Sequence, residues 1–137
     1  MSPNRKEKIL HANCFACGSN NGVGLRLKFD EKDDGSVMGY FTAAPRFEGY
    51  SGIVHGGIIA TLLDSAMTHC LLKKGNFALT GRLSIRYFSP IRVGTVVKLE
   101  ARVMKRSHKI FFLEGKAFVE GKKAAYAEAK YTLRGEV

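Results

Sequence analysis

A chain of 137 residues, 45% hydrophobic and 25% charged, has the composition of a globular domain and the length to bury one core. The formal net charge of +10, from 22 Lys and Arg against 12 Asp and Glu, favours an anionic partner. The basic residues are dispersed and no aromatic-interleaved RNA motif occurs, so we expect a phosphorylated small molecule and no nucleic acid. Without a long apolar run or a secretory signal, we expect a cytoplasmic protein with no membrane partner.

Residues 1–24 are predicted to form a charged lead-in followed by a loop. His11, Cys14 and Cys17 form the spacing His-x-x-Cys-x-x-Cys, which offers three soft ligands where a closed zinc site takes four. Turn-forming residues follow, whereas a redox cysteine pair begins a helix. We therefore expect a packed loop with no metal and no other cofactor, and zinc is the alternative. The odd count of three cysteines, with Cys70 on an apolar run, predicts no disulfide framework.

Two strands are predicted before the central apolar segment. Leu25–Phe29 alternates between apolar and polar residues, and Val37–Thr42 follows an Asp-Asp-Gly turn. The two strands are therefore predicted to form a hairpin. A loop from Ala43 to Val54 contains one proline and two glycines and leads into the next element.

The run from Ile58 to Leu72 predicts one helix, because it lacks Gly and Pro and ends at Lys73-Lys74-Gly75. His55-Gly56-Gly57 precedes it, so the helix is entered through two glycines. At about 100° per residue, one stripe of the helix is polar but nearly uncharged. Its members are Thr61, Asp64, Ser65, Thr68 and His69.

Asp64 is the one carboxylate of this stripe. A buried carboxylate is costly unless it is paired or used, so we interpret Asp64 as a functional group. The alternative is a structural acid bonded to Thr68, Ser65 or the backbone. His69 is interpreted as an ordinary packing residue.

Four further alternating segments predict strands after the helix. They are Leu79–Phe88, Thr95–Met104, Lys109–Val119 and Ala124–Arg134. Turns are predicted at residues 105–108 and 120–122. Four apolar residues of the first strand are predicted to share one face: Leu79, Leu83, Ile85 and Tyr87.

The order ββαββββ, with one buried helix against an antiparallel sheet, predicts an α+β layer pair. Residues 1–137 are expected to form a single domain. Such a sheet leaves apolar surface uncovered, so a homo-oligomer is predicted.

Three segments resemble the hotdog-fold thioesterase superfamily, in its PaaI-like acyl-CoA thioesterase branch. They are GIVHGGIIATLLD at residues 52–64, ALT at 78–80 and IRYFSP at 85–90, and CFACG at 14–18 is similar to a lead-in of one subgroup. The resemblance implies a six-stranded antiparallel sheet wrapped around one long central helix. It also implies an acyl-CoA thioesterase that works as a dimer or a dimer of dimers.

Thioester hydrolysis needs a nucleophile and donors for the charge that develops on the carbonyl oxygen. The backbone N–H groups of Gly56 and Gly57, at the start of the helix, suit that charge. Asp64 then attacks the carbonyl or activates a water, and Thr80 positions the water or orients the carboxylate. The alternative for Thr80 is an ordinary strand threonine. The resemblance implies that His55 shapes the glycine turn, with acid–base chemistry as its alternative.

The spacing between Gly56 and Asp64 predicts a site that spans two chains. Eight helical residues separate them by about 12 Å, at about 1.5 Å per residue, so both cannot contact one thioester. Two antiparallel helices across a two-fold axis bring Gly56 of one chain beside Asp64 of the other. The resemblance implies the same dimer.

Residues for substrate binding are proposed from charge and from apolar character. The coenzyme A phosphates are assigned to basic residues of a predicted turn and of the strand after the helix: Lys105, Arg106, Lys109, Arg82 and Arg86. The acyl pocket is assigned to Phe47, Tyr50 and Met67.

Gly49 departs from the family pattern. Several relatives have an amide or an acid six positions before the histidine, and Glu48, Tyr50 or Ser51 would have to substitute for it here. The departure supports an alternative function, a non-catalytic acyl-CoA-binding or sensing protein. A hotdog hydratase or dehydratase is a third possibility, but its signature loops are not found.

Overall fold

The computed structural model describes residues 10–136. Its elements are β1 (Asp30–Glu31), β2 (Val37–Thr42), a 3-10 turn (Pro45–Phe47), α1 (Gly56–Leu72), β3 (Asn76–Tyr87), β4 (Val96–Ser107), β5 (Ile110–Val119) and β6 (Lys122–Glu136). The strands form one antiparallel sheet in the order β1-β2-β4-β5-β6-β3, which wraps around α1. The predicted ββαββββ order and hotdog fold are thereby confirmed.

The helix α1 is the centre of the core. Leu62, Leu63, Ala66 and Met67 have no exposed surface, since the sheet curls around them. The helix ends as predicted: Gly75 adopts a left-handed φ of 81°, which a glycine takes without strain. Within residues 10–136 no helix has the length and apolar character that crossing a membrane requires.

The prediction of a strand at Leu25–Phe29 is wrong. This segment is extended and buries Leu25, Leu27 and Phe29, but it pairs with the lead-in rather than with the sheet. The N–H groups of Leu25 and Leu27 donate to the carbonyl oxygens of residues 15 and 16, at 2.8 and 2.9 Å. Arg26 has a φ of 52°, which interrupts the pleat and limits the first strand to Asp30–Glu31.

A bulge in β3 decides which residues face the helix. The register shifts by one residue between Thr80, which pairs with Tyr131, and Arg82, which pairs with Lys130. Gly81 is the extra residue, and an unpaired residue at a bulge reverses the alternation on one side of it. Thr80 therefore points toward α1, and Arg82 points to the outer face of the sheet.

The predicted apolar face of this strand is partly wrong for the same reason. Leu83 and Ile85 are half-buried against the core, as expected. Leu79, on the other side of the bulge, lies on the outer face and is 48% exposed. A one-residue insertion is invisible to a period-two pattern, since each half of the strand still alternates.

The turn predicted at residues 105–108 is also displaced. β4 continues through Lys105 and Arg106 to Ser107, and the tight turn consists of His108 and Lys109. His108 takes a φ of 55° there. Lys105 and Arg106 are therefore strand residues whose side chains point to opposite faces of the sheet.

Glu114 of β5 is buried on the outer face of the sheet, with 6% of its surface exposed. Its carboxylate accepts hydrogen bonds from Arg102 Nε at 2.6 Å and from the Tyr126 hydroxyl at 2.7 Å. Burial by itself raises the pKa of Glu114, but these bonds and the charge of Lys116 outweigh it and lower the pKa. The network ties β4, β5 and β6 together.

We expect Glu114→Gln to lower the free energy of unfolding by roughly 1–3 kcal/mol at neutral pH, because Arg102 and Tyr126 lose a charged acceptor. Since the folded pKa of Glu114 lies below its ordinary 4.5, its contribution is present above that pH. It is lost as the pH falls through the folded pKa. Urea unfolding from neutral to strongly acidic pH should therefore show the two proteins converging. A difference that stays constant with pH would contradict this account, and Glu120→Gln in the exposed hairpin turn is the matched control.

Candidate active site

The entry to α1 is shaped by His55. His55 is the N-cap of the helix, and its Nδ1 accepts a hydrogen bond from the N–H of Gly57 at 2.8 Å. This bond satisfies one of the donors that a helix start leaves unpaired. A Cβ at Gly57 would lie 3.0 Å from the His55 ring, so the close contact favours glycine. The imidazole therefore fixes the backbone at the start of the helix.

One backbone N–H at the start of the helix is left open, and it belongs to Gly56. The N–H groups of Ile58 and Ile59 donate to the carbonyl oxygen of His55, and the N–H of Gly57 is engaged by the His55 ring. In residues 10–136 the N–H of Gly56 has no acceptor, and Gly56 is exposed. The expectation of two glycine donors is thus corrected, because the imidazole occupies one of them.

Tyr87 connects the helix entry to β3. Its hydroxyl donates to the carbonyl oxygen of Gly56 at 2.8 Å, and burial raises the pKa of this phenol. The ring lies beside the glycine, so that a Cβ at Gly56 would be 3.7 Å from it. Tyr87 was predicted only as an apolar strand residue, although its hydroxyl positions the backbone of the site.

The carboxylate of Asp64 is held from two strands. Thr80 Oγ1 and the Tyr131 hydroxyl both donate to Oδ1, at 2.8 and 2.6 Å. Tyr131 also donates to the backbone oxygen of Asp64 at 3.0 Å. Burial first, and then the neighbouring carboxylate, raise the pKa of Tyr131, which keeps the phenol protonated as a donor.

The other carboxylate oxygen of Asp64, Oδ2, is not bonded by these two donors. Within the described residues Oδ2 accepts no hydrogen bond, and Asp64 is half-buried. A carboxylate fixed through one oxygen presents the other in a defined direction, as a nucleophile or as a base toward water. The bulge at Gly81 makes this arrangement possible, since it turns Thr80 toward the helix.

Sequence reasoning missed Tyr131. It is fully buried on β6, where the other inward residues, Ala125, Ala127 and Ala129, are small. A tyrosine on the alanine-rich face of a strand is a signal, because a buried hydroxyl needs a partner. The partner could not be identified without the register of β3 and β6.

An open cavity of about 900 Å³ lies beside the helix entry. Its lining includes His55, Gly56, Tyr50 and Tyr87. Apolar side chains make up much of the rest: Ile53, Val54, Ile59, Phe88 and Ile91.

Phe47 and Met67 do not line this cavity. Phe47 is 7% exposed and packs against Phe41, with ring centroids 5.2 Å apart. Met67 is fully buried, next to Gly115. The assignment of both residues to the acyl pocket is corrected, because they are core residues of a single chain.

Gly49 is packed directly on His55. A Cβ at Gly49 would lie 3.0 Å from the His55 Cα, a contact that forces the neighbour to shift. Of the residues named as substitutes, Glu48 lines the cavity, but its Oε2 accepts the N–H of Gly52 at 2.7 Å. The carboxylate of Glu48 is therefore bonded to the backbone of its own loop. Tyr50 and Ser51 are exposed.

The predicted phosphate-binding residues divide between the two faces of the sheet. Arg82 and Lys105 lie in one row on the outer face and line a second cleft of about 540 Å³. Arg86 is on the same face further along β3, and Lys109 is in the turn after β4. The side chains of Arg82, Lys105 and Arg86 are thus separated by the sheet from Asp64.

Arg106 alone among them lies in the row of the site. On the face toward the helix, Thr80, Tyr131, Phe111 and Arg106 are paired in sequence across β3, β6, β5 and β4. The guanidinium of Arg106 lies 4.6 Å from the centre of the Phe111 ring, and the residue is exposed. The row therefore begins at Thr80, which bonds Asp64, and ends at the exposed cation of Arg106.

Fold and site together define a class of protein: a hotdog domain with an exposed glycine at the helix start and a hydrogen-bonded acid further along the helix. The family model of the thioesterase superfamily matches residues 51–125. The chain belongs to the thioesterase superfamily.

Individual relatives agree with this assignment. The chain is 27% identical over 125 residues to an acyl-coenzyme A thioesterase THEM4 of Bos taurus, covering 90% of this chain and 52% of the relative. The chain thus spans about half the length of the curated relatives it matches.

Two solved structures share the fold. The PaaI protein of the E. coli phenylacetic acid degradation operon has a TM-score of 0.79 at 16% identity, over 96% of both chains. A hypothetical thioesterase protein of Streptococcus pneumoniae with coenzyme A has a TM-score of 0.76 at 18% identity, over 80% of this chain and 90% of the other.

Proposed function

We propose that this protein is an acyl-CoA thioesterase, which hydrolyses an acyl- or aryl-CoA to the free acid and coenzyme A. The observation that carries the proposal is the carboxylate of Asp64, held through Oδ1 by Thr80 and Tyr131 with Oδ2 open. Membership of the thioesterase superfamily supports it. So do the relative named as an acyl-coenzyme A thioesterase and the structural neighbour that holds coenzyme A.

The active site is proposed to form between two copies of the chain. Gly56 and Asp64 are on one continuous helix, about 12 Å apart at about 1.5 Å per residue, so one chain cannot direct both at one carbonyl. β3 is the last strand of the sheet, and its outer edge has no pairing strand within residues 10–136. A long open edge favours pairing with a second copy. Pairing of two β3 strands about a two-fold axis sets the helices antiparallel, in a dimer or a dimer of dimers.

The chemistry of the site follows from these two groups. Oδ2 of Asp64 takes a proton from a water, and the water oxygen bonds to the thioester carbon. The negative charge on the carbonyl oxygen is stabilised by the N–H of Gly56 of the other chain and by the helix dipole. When the carbonyl re-forms, the C–S bond breaks and the proton on Asp64 goes to the departing sulfur.

Direct attack by Asp64 on the thioester carbon is the second route open to the same oxygen. The Oδ2–carbon bond forms, the C–S bond breaks and coenzyme A leaves as its thiolate, which takes a proton from water. The resulting mixed anhydride is hydrolysed by water to the product acid and the Asp64 carboxylate. A single turnover in heavy-oxygen water detects the anhydride route when water attacks the aspartyl carbonyl. Label appears in Asp64 only if the anhydride forms and water attacks its aspartyl carbonyl, whereas water activation places all label in the product acid.

Steady-state hydrolysis across a panel of straight-chain, branched and aromatic acyl-CoAs tests the proposed activity. Release of coenzyme A from at least one thioester, with saturation kinetics, is the expected result. Tight acyl-CoA binding without turnover would contradict it and favour the non-catalytic binding or sensing protein, for which Gly49 is the supporting feature.

We expect the KM for acyl-CoA to rise with salt concentration. Exposed cations such as Arg106 attract the phosphates, and salt screens this attraction, with a Debye length of about 8 Å at physiological ionic strength. A truncated pantetheine thioester, which lacks the nucleotide phosphates, should show a much weaker dependence. Kinetics of both substrates over a salt series measure the difference. Arg106→Gln should flatten the acyl-CoA dependence and the control Lys122→Gln should not. Equal slopes for the two substrates would remove the phosphate role of the basic residues.

A further inference from the structure

The lead-in and the helix bring three metal-ligating side chains to one place. Cys17 Sγ lies 3.5 Å from His11 Nδ1, and the rings of His11 and His69 meet edge to face with centroids 5.1 Å apart. One ligand atom from each of the three residues lies within 4.8 Å of the others. We call this set the His11–Cys17–His69 cluster.

Three of the four ring nitrogens of this cluster lack hydrogen-bond partners in the described part of the chain. His69 is 5% exposed, and neither its Nδ1 nor its Nε2 has a hydrogen-bond partner there. The Nε2 of His11 is buried and unpartnered as well. A buried polar atom without a partner costs free energy, so three together in one place require an explanation.

The chemical state of the cluster suits a metal ion. His69 is buried and neither of its ring nitrogens is engaged in a hydrogen bond within the described residues, so a nitrogen of this ring is available to an ion. Two imidazoles and one thiolate form a ligand set that Zn²⁺ favours over the hard cations Mg²⁺ and Ca²⁺.

We propose that the His11–Cys17–His69 cluster binds one Zn²⁺ per chain and ties the lead-in loop to the central helix. A water completes the coordination. The Sγ–Nδ1 separation of 3.5 Å already fits a shared ion. A wider spacing, up to the 4.8 Å bound of the cluster, has to close by up to about 1.5 Å, because a tetrahedral ion with Zn–S about 2.3 Å and Zn–N about 2.0–2.1 Å holds its ligand atoms about 3.3–3.6 Å apart. This replaces the expectation of no metal. Sequence reasoning weighed His11, Cys14 and Cys17 and could not place His69 beside them.

Cys14 provides the discriminating control. It shares the Cys-x-x-Cys spacing with Cys17, but in the described structure it is not among the side chains of the cluster. A zinc site read from the motif alone would use both cysteines. The structure instead brings Cys17 together with two histidines, one of them from α1.

The test uses the full chain, stripped of metal with a chelator and titrated with Zn²⁺ against a chromophoric competitor. Wild type and Cys14→Ser should each bind one ion. Cys17→Ser and His69→Leu should bind at least about 100-fold more weakly, since outer-shell changes alone cost about 10–100-fold. With Co²⁺, wild type and Cys14→Ser should show a thiolate-to-metal charge-transfer band that Cys17→Ser lacks.

Thermal unfolding gives a second readout that does not depend on activity. Zn²⁺ should raise the Tm of wild type and Cys14→Ser and leave His69→Leu unchanged. The leucine removes two unpartnered nitrogens from the core, so His69→Leu should fold without metal. Failure of the stripped wild type to bind Zn²⁺ would overturn the proposal, and so would loss of binding in Cys14→Ser equal to that in Cys17→Ser.

Discussion

Asp64→Asn should reduce kcat for acyl-CoA hydrolysis by about 10²–10⁴-fold, the range for loss of a positioned general base. The asparagine oxygen can still accept from Thr80 and Tyr131, so the hydrogen bonds that hold this side chain are retained. The amide can neither take a proton from water nor attack the thioester. Steady-state kinetics, with thermal unfolding of the same samples, measure both effects.

A matched substitution controls for loss of charge. Asp33→Asn, in the exposed turn between β1 and β2, removes the same carboxylate away from the site and should keep wild-type kcat. Wild-type turnover in Asp64→Asn would show that Asp64 is structural. A fall in Tm large enough to account for the lost activity would lead to the same conclusion.

Gly56→Leu should reduce kcat/KM by about 10²–10³-fold, because the side chain covers the N–H that we assign to the substrate oxygen. The fold should tolerate it. The nearest atoms to a Cβ at this position belong to Tyr87, at 3.7 Å, and leucine is a better helix former than glycine. The unfolding free energy should therefore stay level or rise while activity falls.

Gly56→Ala is the control for Gly56→Leu. It makes the same contact with Tyr87 and the same gain in helix propensity, but it leaves the N–H accessible, so most activity should remain. If Gly56→Leu keeps wild-type kcat/KM, the helix start is not the oxyanion site.

The helix and its acid could be predicted because their signals are local. A run without Gly or Pro, a cationic end and Gly75 define α1, and the polar stripe singles out Asp64. Alternation likewise placed five of the six strands within a few residues. Each of these features depends on residues that are close together in the chain.

The partners of Asp64 could not be predicted because they depend on strand register. The bulge at Gly81 determines whether Thr80 faces the helix, and no period-two pattern reveals one inserted residue. Tyr131 reaches the carboxylate from the last strand. The approach of His69 to Cys17 is likewise a contact between the helix and the lead-in, far apart in sequence.

Apolar residue type was a poor guide to the substrate pocket. Phe47 and Met67 are large and apolar, and both are buried in the core of a single chain. Basic character was an equally poor guide to the phosphate site. Lys105 lies on the outer face of the sheet, and the next residue, Arg106, lies on the face toward the helix. For these two basic residues, one position along the strand decides which side chain faces the helix.

The central claim is that each active site takes its glycine from one chain and its acid from the other, and mixing the two inactive variants tests it. Asp64→Asn and Gly56→Leu chains are unfolded together, refolded and assayed with an acyl-CoA that wild type hydrolyses. About half of the dimers are then mixed, and each mixed dimer has one site built from two intact positions. Activity should recover to about a quarter of wild type if the sites are independent. No recovery, with mixed dimers demonstrated by mass spectrometry, would show that glycine and acid act within one chain.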